Sequence, residues 1–140
     1  MTLRTRALLL VMLMTVVVGC ASGPESLGDP ALDEGRDIFG RLCSSCHGGT
    51  GSGASAPALT SVLETFPDCE THVQWVTIGS DRWKEEVGPV YGASGKEITA
   101  IMPSFEAVLT DLEIRQVASF ERFRFGGAEM EDVLAGCGLG

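Results

Sequence analysis

Five consecutive residues carry the most specific chemistry in the chain: Cys43-Ser44-Ser45-Cys46-His47. Two thiols followed at once by an imidazole form C-x-x-C-H, the attachment pattern for c-type haem. The thiols can add across the two vinyl groups of a porphyrin, and the adjacent imidazole then comes under the iron as a ligand. Covalent attachment fixes the porphyrin without a large pocket around it. A second set competes for the same thiols. Cys69-Glu70-Thr71-His72 is C-x-x-H, and Cys43, Cys46, Cys69 and His72 together make a tetrahedral zinc set. Zinc has no use for His47 and leaves Met102 and the flanking helices without a role, so covalent haem is the stronger assignment.

The stretch before the motif must position it. Asp29 can cap a helix whose first residue is Pro30, and Leu32, Gly35, Phe39, Leu42 and Cys46 recur on one face of a helix over 30–46. Glycine inside a helix costs about 1 kcal/mol against alanine, so Gly35 implies close approach of a second helix. A later helix follows Thr110-Asp111-Leu112-Glu113, a capping box, with Leu109, Leu112 (or Glu113), Val117 and Phe120 at helical spacing. Ser61-Val62-Leu63-Glu64 is another capping-box pattern, and Asp68 can cap a helix of Cys69, Val73 and Val76 ending at Gly79. Gly48 to Ala54 reads as a flexible polar surface loop, weak as a phosphate cradle because no Gly-Lys-Ser/Thr follows it. Ser80 to Ala100 reads as a glycine-rich surface excursion. Trp75, Trp83 and Tyr91 are the candidates to cover the macrocycle, each with an apolar body and one polar donor.

The chain has 140 residues, enough for one domain. Its net charge of −9 argues against nucleic-acid binding, which runs on Lys and Arg neutralising phosphates. Arg4 and Arg6 precede an apolar run from Ala7 to Val18, too short for a membrane span, which reads as an export signal. Val17-Val18-Gly19-Cys20 resembles the bacterial lipobox, which implies cleavage before Cys20 and its lipidation. The expected organisation is a lipoprotein signal peptide over 1–19, a flexible tether over 20–28, a domain over 29–125 and a docked tail over 126–140. Five cysteines are present. With Cys20 assigned to lipid and Cys43 and Cys46 to haem, Cys69 and Cys137 remain as an even pair in an oxidising compartment and are expected to form a disulfide.

Asp29-Pro30-Ala31, Gly35-Arg36-Asp37-Ile38-Phe39 and Cys43-Ser44-Ser45-Cys46-His47-Gly48 together closely resemble the monohaem class I cytochromes c, over roughly residues 30–125. The resemblance implies an all-α fold, three to five helices around one covalent haem c with its iron. It implies that the first and last helices cross, that the Pro57 carbonyl in Ala56-Pro57-Ala58-Leu59 accepts the second ring N–H of His47, and that Leu59 packs on the haem edge. It implies that Met102, in Ile101-Met102-Pro103-Ser104-Phe105, is the sixth ligand, a pairing that raises the haem potential. The expected function is one-electron transfer between respiratory-chain partners at the outer face of a bacterial cytoplasmic membrane. It is not the function of an enzyme in its own right. The alternatives are a haem subunit of a larger oxidoreductase complex, or a gas-binding or sensing haem protein if the sixth position is open.

Overall fold

A computed structural model of the chain describes residues 23–140. The Arg-flanked apolar run and Cys20 lie outside the described residues. The fold is all-α, a small cytochrome c fold, with one short hairpin.

Helix α1, Pro30–Ile38, starts at Asp29, whose carboxylate accepts from the Ala31 and Leu32 amides. It runs directly into a π-turn over Phe39–Cys43 and a last turn, α2, over Ser44–His47. The π-turn inserts one extra residue into the helical repeat. The buried face holds as far as the expected Phe39; beyond it Cys43 is buried, Leu42 is half-buried and Cys46 is exposed.

Helix α3 is one turn, Val62–Thr65. The expected capping box at Ser61 does not form; on so short a helix the hydroxyl is free to turn toward Lys96 Nζ, 3.5 Å away. Helix α4 spans Cys69–Glu86, capped by Asp68 on the Thr71 amide, and breaks at Gly79, where φ is +69°. The helix resumes as Ser80–Glu86 with Trp83 buried, so the expected surface excursion begins later than composition suggested. It is then a hairpin, β1 Val90–Tyr91 against β2 Lys96–Glu97, paired Val90 to Glu97 and Tyr91 to Lys96.

Helix α5, Asp111–Arg124, opens with the complete Thr110–Glu113 capping box. It crosses α1 at Gly35, where an added Cβ would lie 2.8 Å from Phe120 Cβ and collide with the Gln116 carbonyl. Phe39 packs on Phe120 and Phe125 with ring centroids 5.6 and 4.9 Å apart. The packed stripe of α5 is Ile114, Val117, Ala118 and Phe120, whereas Leu112 is 55% exposed. Helix α6, Met130–Gly136, buries Val133 and ends at a buried Cys137.

Two stretches expected to be flexible are held. Residues 25–28 lie on α1: the Leu27 amide donates to Asp33 at 2.9 Å, Ser26 Oγ to the same carboxylate at 2.6 Å, and Arg36 to the Glu25 carbonyl at 2.8 Å. Gly48–Gly53 is a tight turn pinned by the Gly53 amide on the His47 carbonyl and the Leu59 amide on the Gly51 carbonyl, each 2.8 Å. Gly51, at φ +66°, is buried under Phe125, where a Cβ would meet the ring at 2.5 Å. Its glycines serve close approach here, which composition alone reads as looseness.

Candidate functional site

The elements enclose one deep cleft of about 1060 Å³, counting its open mouth. Cys43, Cys46, His47, Pro57, Leu59 and Met102 all line it. The chain order scatters these residues over sixty positions, and the fold gathers them on one apolar surface completed by Val62, Phe66, Val76 and Phe105.

The attachment residues come from the end of the helix. Burial raises the Cys43 thiol well above its usual range, and the nearby Glu121 carboxylate adds to the effect. His47 Nδ1 lies 2.8 Å from the Pro57 carbonyl oxygen. A carbonyl can only accept, so Nδ1 carries the proton and Nε2 keeps the lone pair a metal needs. The loop reaches this position because the Ala56 amide donates to the Cys46 carbonyl at 3.0 Å, which folds Pro57 back over α2.

Met102 is placed from the other side of the sequence. The break at Gly79 removes a side chain where a Cβ would lie 2.6 Å from the Met102 carbonyl oxygen. It also frees backbone groups of α4. The Ser80 amide donates to the Met102 carbonyl at 2.8 Å, the Met102 amide to Ser80 Oγ at 3.0 Å, and Ser104 Oγ to the Thr77 carbonyl at 2.7 Å. Trp75 Nε1–H donates to Met102 Sδ at 3.1 Å.

Among the three aromatic candidates, Trp75 and Tyr91 line the cleft and stack with centroids 4.5 Å apart. Trp83 stands behind them, edge-on to Trp75, with its indole N–H on the Val90 carbonyl at 2.9 Å. Lys96 reaches the rim of the cleft, its Nζ 2.7 Å from Thr65 Oγ1.

The zinc set is not assembled. Cys69 is bonded to Cys137, with Cα atoms 5.3 Å apart. His72 is turned to Glu121, its Nε2 3.1 Å from the carboxylate. Among the described residues no three His, Cys, Asp or Glu side chains converge on a metal-sized site. Sequence reasoning left four residues without their roles here: Gly79, Glu121, Lys96 and His72. A signal for two of them was present, since His72 follows Cys69 and Glu121 follows Val117 at helical spacing on buried stripes.

The cleft fits a porphyrin. It is mostly apolar, it carries two thiols beside an imidazole of fixed tautomer, and a thioether held by backbone bonds lines the same space. Iron bound by imidazole on this surface suits one-electron chemistry. No curated protein matches the chain. Residues 30–120 match the family described as cytochrome c oxidase, cbb3-type, subunit III. That match spans the capped helix, the attachment motif, the methionine loop and most of α5, and with it the chain belongs to this family of monohaem c-type cytochromes, whose cofactor is covalently bound haem c with its iron.

Proposed function

We propose that the protein is a membrane-anchored electron carrier in which His47 and Met102 are the axial ligands of the haem. Haem c supplies a centre that gains and loses one electron. The protein's residues do the rest. Cys43 and Cys46 would hold the porphyrin through thioether bonds, and the Pro57 carbonyl fixes the His47 ring. The observation that carries the reading is the Met102 loop, anchored to α4 on both sides of the Gly79 break with its sulfur in the cleft. A ligand held this firmly keeps its place in both oxidation states, so little geometry changes on transfer. Lys96 at the rim is the cation available to a porphyrin carboxylate. Leu59 packs at the edge of the macrocycle. Partners are redox proteins of an electron-transport chain. Cys20 carries the lipid that holds the protein at the outer face of the cytoplasmic membrane.

A second reading has a specific observation behind it. The matched family is described as an oxidase subunit, which favours a haem subunit of a larger complex over a free carrier.

Visible spectra of the oxidised and reduced protein test the site. The haem should stay with the chain through denaturation and acid–acetone extraction. Met102→Ala should abolish the ferric sulfur-to-iron band, lower the potential and admit small ligands. Survival of that band in the variant would assign the sixth position to another residue.

A further inference from the structure

The wall of the cleft contains a polar pair that neither attachment nor ligation uses. His72 from α4 is 2% exposed and Glu121 from α5 is 4% exposed. His72 Nε2 lies 3.1 Å from Glu121 Oε2, and both residues line the cleft. Phe66 stacks flat on the imidazole, 5.0 Å between centroids. The other ring nitrogen, Nδ1, is buried with no hydrogen-bond partner among the described residues. Most of their buried neighbours on α4 and α5 are apolar. An apolar pair of equal volume would usually be no less stable in such a place, so stability alone does not account for it.

We infer that His72 and Glu121 form a proton-accepting pair coupled to the electron that the cleft carries: Nδ1 of His72 binds a proton when the site is reduced and releases it when the site is oxidised. The inference rests on the reading of the cleft as a haem site. Reduction adds one negative charge to the cleft, delivered by the donor protein. In the surrounding apolar wall that charge is poorly screened, and the unpartnered basic nitrogen buried in that wall is where a proton offsets it. Glu121 accepts the Nε2–H throughout and stabilises the imidazolium that results. Oxidation reverses both transfers, so electron and proton leave together.

The neighbouring charges leave the pair to itself. Asp68 caps α4, with its carboxylate on Thr71, and Glu70 is bound to Arg115. Arg122, next to Glu121, donates to the carbonyls of Phe66, Pro67 and Asp68. The Cys43 sulfur, close enough to feel Glu121, becomes a neutral thioether on attachment. His47, Tyr91, Lys96 and Glu97 line other parts of the cleft.

Potentiometric titration of the haem-loaded protein from pH 5 to pH 9 tests the coupling. The midpoint potential should fall as pH rises, with a limiting slope of about 59 mV per unit, a tenfold change in electron affinity per pH unit for a one-electron couple. Glu121→Gln should move the slope out of this range, and reduced-minus-oxidised infrared spectra should lose their imidazole signal. The double variant His72→Phe, Glu121→Leu removes both partners at once, so it leaves no buried orphan and guards against misfolding of the single variant. It should keep the visible spectrum and show a flat potential. A flat potential in the unaltered protein overturns the proposal. So does a slope that persists in the double variant, which would belong to the porphyrin's own carboxylates. Absence of any haem couple would refute the cleft assignment itself, and the visible spectrum separates that outcome from the other two.

Discussion

Gly79 decides where the methionine sulfur goes. Its φ of +69° is a left-handed conformation that glycine adopts freely, and the space a Cβ needs is taken by the Met102 carbonyl and the Pro103–Ser104 peptide. Gly79→Ala should therefore cost about 1–3 kcal/mol in strain and contact. It should also weaken the sulfur-to-iron band at temperatures where the rest of the domain is folded. Denaturant midpoints paired with that band check the expectation; an intact band and midpoint would show that the break is incidental. The sequence shows the glycine and the methionine but not their meeting. Glycine at 79 reads as a helix stop, because a stop and a break that restarts look alike until the partner loop is known. The place of His47 in the cleft, by contrast, is legible from its neighbours in the chain. The Trp75 indole on Met102 Sδ, 3.1 Å away, was one of three equal candidates for the same reason as Gly79: the contact joins residues far apart.

At the scale of elements, capping signals transferred well wherever the helix was long enough to use them. Asp29, Asp68 and Thr110 all cap. The Ser61 pattern failed on a helix of one turn. The face of α1 was right as far as Phe39 and then slipped, because a π-turn has no marker in hydrophobic spacing. The tail helix α6 depends on its link to α4. Val133 and Cys137 are buried, and Arg115 donates to the Cys137 carbonyl at 3.1 Å. The Cys69–Cys137 bridge closes a sequence separation of 68 residues, worth about 4 kcal/mol on the chain-entropy model. Cys69→Ser with Cys137→Ser should lower stability by about 2–4 kcal/mol and raise proteolysis after Gly126 while leaving the spectrum of the haem site in place. Intact-mass analysis before and after reduction and alkylation counts the free thiols; two in the unreduced exported protein would exclude the bridge.

For the molecule as a whole, charge and attachment set where it works. Cleavage before Cys20, as proposed, would take away Arg4 and Arg6 and no acid, and would carry the net charge from −9 to −11. No helix among the described residues is long and apolar enough to cross a membrane; the lipid proposed at Cys20 would hold this acidic domain to a surface. Cys20→Ser should release the protein from membranes or leave it as precursor, read by fractionation and by mass; unchanged mass and partition would dismiss the anchor. The domain is docked from about residue 25, because Asp33 and Arg36 bind residues 25–27. Sequence composition marked that stretch as tether, since small polar residues give no hint of a carboxylate waiting one helical turn away. The Gly79 break has one more consequence. The Met102–Phe105 segment has no secondary structure of its own and borrows the α4 residues flanking the Gly79 break for its hydrogen bonds. The sulfur therefore cannot swing away by rotating a side chain alone without leaving its indole partner, nor by loop motion without stripping bonds from Thr77 and Ser80. With Met102 as the proposed ligand, its departure would be a local unfolding event that opens the loop together with α4 around the Gly79 break.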